Sequence, residues 1–124
     1  MRALLMSLAV AASASGAARA DPVPVSIGMS YASARGALIT KGYRPVRSGE
    51  RDDGRCSAGR QDVCTAYPET VSCSGTGAAP CRFIFAGPTG GVTLEAEGRD
   101  VGHLAVTASR LSSKRDVDWQ RTSR

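Results

Sequence analysis

The clearest pattern in the chain lies in its second half, where apolar and polar side chains alternate with a period of two. Three segments show it: 82–86, 92–97 and 103–109. This period predicts strands with one buried and one solvated face. In the last segment, Leu104, Val106 and Ala108 alternate with positions 105 and 107, which puts the first three on one face. Turns rich in Gly and Pro or Asp, at 88–91 and 98–100, join the strands into an antiparallel meander.

One amphipathic helix is predicted before these strands. Ser30 is a suitable N-cap and Gly42 a suitable end, and between them Tyr31, Ala34 and Leu38 fall on one face at spacings of three and four residues. A helix of this length is marginal alone, so we expect it to pack on the sheet. The predicted fold class is therefore α+β, with one helix packed on a small antiparallel sheet.

The remaining segments carry weaker patterns. Residues 21–27 predict a Pro-interrupted extended lead, 43–47 a short strand that Pro45 weakens, and 48–60 a polar loop. From 111 to 124 the alternation is lost and Ser, Arg and Asp dominate, which predicts a polar, disordered tail with Trp119 as its one aromatic side chain. We expect a single small domain at 21–110.

The first twenty residues have the three features of a secretory signal peptide. Arg2 supplies a positive start, residues 3–10 an apolar run, and Ala18-Arg19-Ala20 a small-x-small cleavage site. The apolar run is too short for the alternative, a membrane anchor. We expect cleavage after Ala20, a periplasmic or secreted chain in the cell envelope, and no transmembrane segment after cleavage.

Charge disfavours nucleic acid as a partner. The net charge is +5, but removal of Arg2 and Arg19 leaves 14 basic against 11 acidic residues, a net +3. No aromatic residues are interleaved with the basic ones, as binding of single-stranded nucleic acid requires. A basic tail at Arg110, Lys114, Arg115, Arg121 and Arg124 permits weak attraction to anionic envelope polymers. The partners expected are an envelope protein or a cell-wall polymer, bound by a monomer.

The four cysteines predict disulfides. Cys56, Cys64, Cys73 and Cys81 allow three connectivities, and their intervals favour two local loops, Cys56–Cys64 and Cys73–Cys81. Structural zinc sites space paired ligands by two to four residues, unlike these, and no C-x-x-C redox motif is present. No metal and no cofactor is predicted.

A candidate contact surface surrounds the second loop. Closed by a disulfide, the Gly-rich segment would present amides and hydroxyls rigidly beside a Tyr-Pro-Glu turn and the first meander strand. The residues proposed for this surface are Tyr67, Glu69, Ser74, Gly75, Thr76, Gly77 and Arg82.

Catalysis has weak support in the sequence. His103 is a candidate general base, but no serine stands in a nucleophile-elbow context. Glu95 and Glu97 share a strand face, as the carboxylate pair of a glycosidase requires, although exposed strand carboxylates are far more common. We therefore predict no catalytic residues, and keep a small hydrolase using His103 as an alternative.

Two resemblances add expectations. Residues 24–46 resemble the G-M-[ST]-x-x-x-A-x-x-x-L-x-x-x-G-[YF] core of the PASTA domain, a non-catalytic module associated with peptidoglycan or β-lactam recognition. The matching positions are Gly28, Met29, Ser30, Ala34, Leu38, Gly42 and Tyr43. The G-M-[ST] opening is also similar to the repeat of the β-lactamase inhibitor protein and to small outer-membrane assembly lipoproteins.

The second resemblance covers most of the mature chain. The G-M-S-x-x-x-A helix followed by Y-P-E, C-S-G-T-G-x-x-P-C and R-F is similar to small exported proteobacterial proteins of unassigned function. It implies an envelope location and supplies no activity. The function predicted is a non-catalytic periplasmic binding or interaction domain, an inhibitor or adaptor of an envelope enzyme; the alternative is a peptidoglycan-binding PASTA-like module.

Overall fold

The computed structural model describes residues 23–47, 56, 59–74, 80–88 and 90–122. The predicted signal peptide at 1–20 and most of the predicted loop at 48–60 lie outside the described residues. No helix in the described part of the chain is long and apolar enough to cross a bilayer.

A five-stranded antiparallel sheet forms the centre of the molecule. Its strands are β1 (Arg44–Pro45), β2 (Thr70–Cys73), β3 (Cys81–Ala86), β4 (Gly91–Glu97) and β5 (Ala105–Ser112). Strands β3, β4 and β5 form the predicted meander. Strands β1 and β2 both pair with β3, β1 along its end and β2 along its beginning, so together they make one edge of the sheet. The predicted α+β class is confirmed.

The main helix, α1 (Tyr31–Thr40), begins and ends as the sequence predicts. The Ser33 N–H donates to Ser30 Oγ at 3.1 Å, which caps the first turn. At the other end, Gly42 takes a left-handed φ of 92°, and the N–H groups of Gly42 and Tyr43 donate to the carbonyls of Ile39 and Leu38. This is the Schellman arrangement, which glycine favours because it has no Cβ.

The inner face of the sheet, defined here as the face that α1 covers, carries the main core. The predicted helix face is confirmed, since Tyr31, Ala34 and Leu38 are all fully buried. They pack with the inward side chains of the strands and with Val63. The strand members of this core are Cys81, Phe83, Phe85, Val92, Leu94, Ala96 and Val106, and Leu104 lies just before β5.

The outer face carries a second, smaller core under a helix that was not predicted from the sequence. Residues 111–124 were expected to be a disordered tail, but β5 continues to Ser112 and α3 spans Lys114–Thr122. Val117 is buried there with Val46 and Ile84. The helix comes close to the sheet because Gly91 has no side chain: a Cβ at that position would lie 2.5 Å from Val117 Cγ2.

The predicted alternation in the last strand is wrong after Val106. Val106 pairs with Ala96, whereas Ala108 pairs with Glu95, so Thr107 is an extra residue in a bulge. Residues that pair directly across an antiparallel sheet lie on the same face. Ala108 therefore follows Glu95 to the outer face instead of joining Val106.

Two short elements were not predicted between the first and third cysteines. Helix α2 (Gln61–Ala66) and strand β2 lie in a region that showed no periodicity. With six and four residues, they are too short to develop a recognisable pattern. Helix α2 is also tied to a short 3-10 helix (Val101–His103), where the Val101 N–H donates to Asp62 Oδ2 at 2.9 Å.

Candidate binding surface

Both disulfides form in the favoured pairing. Cys56 bonds to Cys64 of α2, and Cys73 bonds to Cys81. The second bond joins residues that are directly opposite each other where β2 meets β3, with their Cα atoms 4.0 Å apart. It therefore closes the segment 74–80 at its base.

The predicted contact surface is divided between the two faces of the sheet. Tyr67 and Glu69 belong to the inner side, while Arg82 projects from β3 to the outer side, since its neighbours Cys81 and Phe83 point into the inner core. Ser74 is exposed, and both its N–H and its hydroxyl donate to the Pro80 carbonyl. Gly75, Thr76 and Gly77 lie outside the described residues.

Glu69 is not available to a partner, because its side chain is completely buried. Glu69 Oε1 accepts from the Tyr31 hydroxyl at 2.7 Å and from Arg35 Nε at 2.5 Å. Burial, followed by the charge of Glu69 and the hydrogen bond to it, raises the pKa of Tyr31 far above its ordinary value. The same carboxylate raises the pKa of Arg35 through its hydrogen bond. The expectation that Glu69 belongs to a contact surface is wrong.

Tyr67 packs against the group formed by Tyr31, Arg35 and Glu69. Its ring meets the ring of Tyr31 edge-on at 4.7 Å, and the Arg35 guanidinium carbon lies 5.4 Å from its centre. Tyr31 in turn stacks on Phe83 at 4.0 Å. Helix α1, the Tyr-Pro-Glu turn and β3 are thus joined by one aromatic and ionic group, whose geometry suits packing of the inner core.

The predicted catalytic alternatives do not assemble into a site. His103 is exposed, and its Nδ1 lies 2.7 Å from Asp100 Oδ1, a hydrogen bond that lowers the pKa of Asp100. Asp100 Oδ1 also accepts from the Gly102 N–H, so it serves as the cap of the 3-10 helix. Glu95 pairs with Arg82 at 3.3 Å, while Glu97 is exposed at the end of β4. In the described residues, no three His, Cys, Asp or Glu side chains gather as metal ligands.

A groove of about 470 Å³ lies on the outer face, between α3 and the sheet. One row of residues crosses three strands of the groove floor. Ile84 of β3 pairs with Thr93 of β4, and Thr93 pairs with Arg110 of β5. Thr93 Oγ1 and Ser112 Oγ share a 2.5 Å hydrogen bond there. Its volume falls in the range of small-ligand and anchor-residue pockets. The lining residues are Val71, Arg82, Ile84, Thr93, Arg110, Leu111, Ser112, Asp116 and Trp119.

One large apolar side chain of the groove faces solvent, since Trp119 of α3 is 67% exposed. Leu111 is 73% exposed, but it pairs with Val92 of the inner core, so its side chain projects from the inner face at the edge of the sheet. An exposed Trp beside an Arg at a concave site is typical of interaction surfaces. We refer to Trp119 and Arg110, with the groove floor beneath them, as the outer groove.

Of the four predicted contact residues that the structure describes, only Arg82 lines the outer groove. Trp119 was missed because it lies in the segment expected to be a disordered tail. One signal was present in the sequence: Ser113 followed three residues later by Asp116 is an N-cap pattern. In the structure the Asp116 N–H donates to Ser113 Oγ at 3.1 Å, just at the start of α3.

No protein-family model, no curated protein and no solved structure matches this chain. The resemblances to PASTA domains, to the β-lactamase inhibitor protein repeat and to exported proteobacterial proteins therefore stay predictions from the sequence.

Proposed function

We propose that this protein is a non-catalytic interaction domain of the cell envelope, and that it binds a protein partner through the outer groove. Exported to the periplasm or secreted, it would act as an inhibitor or adaptor of an envelope enzyme. The observation that carries the proposal is the exposure of Trp119 beside the exposed Arg110 at one groove.

The chemistry of the groove favours a protein partner. Trp and Arg are the residue types most enriched among the few side chains that dominate protein–protein affinity. Here Trp119 and Arg110 line the same groove, above an apolar floor at Val71 and Ile84. The partner we infer presents an apolar side chain to the indole and a carboxylate to the Arg110 guanidinium.

Rigidity also supports binding at this place. Each strand of the groove floor is paired with its neighbours, and the Cys73–Cys81 bond ties β2 to β3 at one end. A surface that is already ordered loses less entropy on association.

The test is recovery of partners from envelope extract with the mature chain immobilised. Wild type is compared with Trp119→Ala and Arg110→Ala, and with Ile39→Ser as a matched control, because Ile39 is a 44% exposed apolar residue on α1, across the sheet from the groove. We expect one protein that wild type and Ile39→Ser retain, and that each groove variant binds at least about tenfold more weakly.

Three outcomes contradict the proposal: retention that the groove variants leave within about twofold of wild type, recovery of wall glycan without a protein, and recovery of nothing. The second outcome would favour the PASTA-like alternative.

A further inference from the structure

The two disulfides meet inside the protein. Cys56 Sγ lies 3.7 Å from Cys73 Sγ, although each is bonded to a different cysteine. A disulfide needs about 2.05 Å between its sulfurs, so Cys56 and Cys73 are less than 2 Å from a bonding distance. The Cys56–Cys64 bridge thus lies against the end of β2.

The four cysteines differ in accessibility. Cys56 and Cys81 are completely buried and Cys64 is 9% exposed, whereas Cys73 is only partly buried. An external thiol therefore reaches the Cys73–Cys81 bond at Cys73 more readily than at Cys81. Cys73 is both the accessible member of its own disulfide and the neighbour of the other one.

We propose that Cys56 and Cys73 are an internal thiol–disulfide exchange pair. An external dithiol reduces the Cys73–Cys81 bond and is itself oxidised to a disulfide. The Cys73 thiolate then attacks Cys56 Sγ, the Cys56–Cys73 bond forms, and the Cys56–Cys64 bond breaks. Its electron pair leaves on Cys64 Sγ, which takes up the proton that Cys73 lost. This second step is an exchange with no net oxidation.

The exchange changes which segments of the chain the disulfides connect. In the resting protein one bond closes the segment 74–80 and the other ties Cys56 to α2. After exchange, a single bond joins Cys56 to the end of β2, while Cys64 and Cys81 become thiols. Cys81 precedes Arg82 of the outer groove, so the redox state would act on the base of a strand that lines this surface.

The experiment uses two matched pairs of variants of the mature chain. Cys81→Ser and Cys73→Ser both remove the same disulfide, but the first leaves Cys73 as the thiol and the second leaves Cys81. In the same way, Cys64→Ser leaves Cys56, and Cys56→Ser leaves Cys64. Each folded variant is alkylated at neutral pH, and its disulfides are mapped by peptide mass spectrometry.

We expect the Cys56–Cys73 linkage in Cys81→Ser and Cys64→Ser, at least about fivefold more abundant than any non-native linkage in Cys73→Ser and Cys56→Ser. Absence of the Cys56–Cys73 linkage from both of the first two variants would overturn the proposal. Equal non-native linkage in all four would also overturn it, since that indicates unspecific scrambling.

A measurement on the wild-type protein tests the exchange even if the variants fail to fold. Limited dithiothreitol is added to the native protein, and one-disulfide species are trapped with acid over time. We expect the Cys56–Cys73 species to accumulate under native conditions and to lose its excess in denaturant, where the sulfurs are no longer neighbours. A native time course in which only Cys56–Cys64 or Cys73–Cys81 is found contradicts the exchange.

Discussion

The two faces of the sheet differ in how completely they are covered. The inner face lies beneath α1 and packs against Val63 of α2, and its aromatic and aliphatic side chains are excluded from water. In the part of the chain that the structure describes, the outer face lies beneath α3, and Val46, Ile84 and Val117 form its buried cluster. Beside that cluster the sheet opens into the outer groove, where Trp119 is exposed to solvent. One face is thus largely covered, and the other keeps the exposed surface that we propose for binding.

Two ion pairs show the same contrast. Arg35 and Glu69 meet on the inner side, where the carboxylate is fully buried and also accepts from Tyr31. Arg82 and Glu95 meet on the outer side, where both side chains are at least one third exposed. A buried charge that loses its partner is costly, whereas an exposed pair contributes little because water solvates both ions. The difference lies in burial and not in the residue types.

The largest expected effect comes from emptying the inner core. Phe83→Ala should lower the free energy of unfolding by about 4 kcal/mol, because it leaves a cavity beneath Tyr31. Arg110→Ala, at the exposed outer groove, should change it by no more than about 0.5 kcal/mol. Urea unfolding of both variants measures the difference. Similar losses from the two would break the contrast between the faces.

The ion pairs give the next comparison. Glu69→Ala leaves the Tyr31 hydroxyl without its acceptor and Arg35, which is 29% exposed, without its carboxylate. We expect a loss of about 3 kcal/mol in the free energy of unfolding. Glu95→Ala should cost about 0.5 kcal/mol or less. The two variants are compared in the same denaturant series, and equal costs would contradict the assignment of Glu69 to the core.

A smaller effect is expected in the pH dependence of the free energy of unfolding, through Tyr31 of the inner core. Burial and Glu69 raise the pKa of Tyr31 in the folded protein, so the unfolded chain ionises first, near the ordinary tyrosine value of about 10. The stability that Tyr31 contributes is complete below that pH and is lost as the pH rises above it, by up to about 1.4 kcal/mol per unit. Unfolding at pH 8 to 11 should show a shallower decline in Tyr31→Phe than in wild type; identical slopes would mean that the hydroxyl is not buried beside a carboxylate.

The inner face was largely predictable from the sequence. Ser30, Gly42 and the spacing of Tyr31, Ala34 and Leu38 encode α1 locally, through its caps and its buried face. Alternation encodes β3 and β4, and the short intervals between cysteines favour the pairing that forms. These signals act over a few residues, so one sequence reveals them.

The outer face was not predictable in the same way. Helix α3 has one buried apolar residue, Val117, among charged neighbours, which is too little to produce a helical period. The bulge at Thr107 and the burial of Glu69 depend on tertiary contacts, with Glu95 and Ala96 across the sheet and with Tyr31 far along the chain. The outer groove exists only once α3 packs on the sheet, so no local pattern indicates it.

The most direct test of the central claim, that the outer groove is the binding surface, is photo-crosslinking in cells. The photoreactive residue p-benzoylphenylalanine replaces Trp119 in one strain and Ile39 in another, so both probes are exposed but lie on opposite sides of the sheet. We predict one cross-linked protein at position 119 that is absent at position 39 and is lost when Arg110→Ala is added. No product at position 119, or the same product at both positions, would contradict the account.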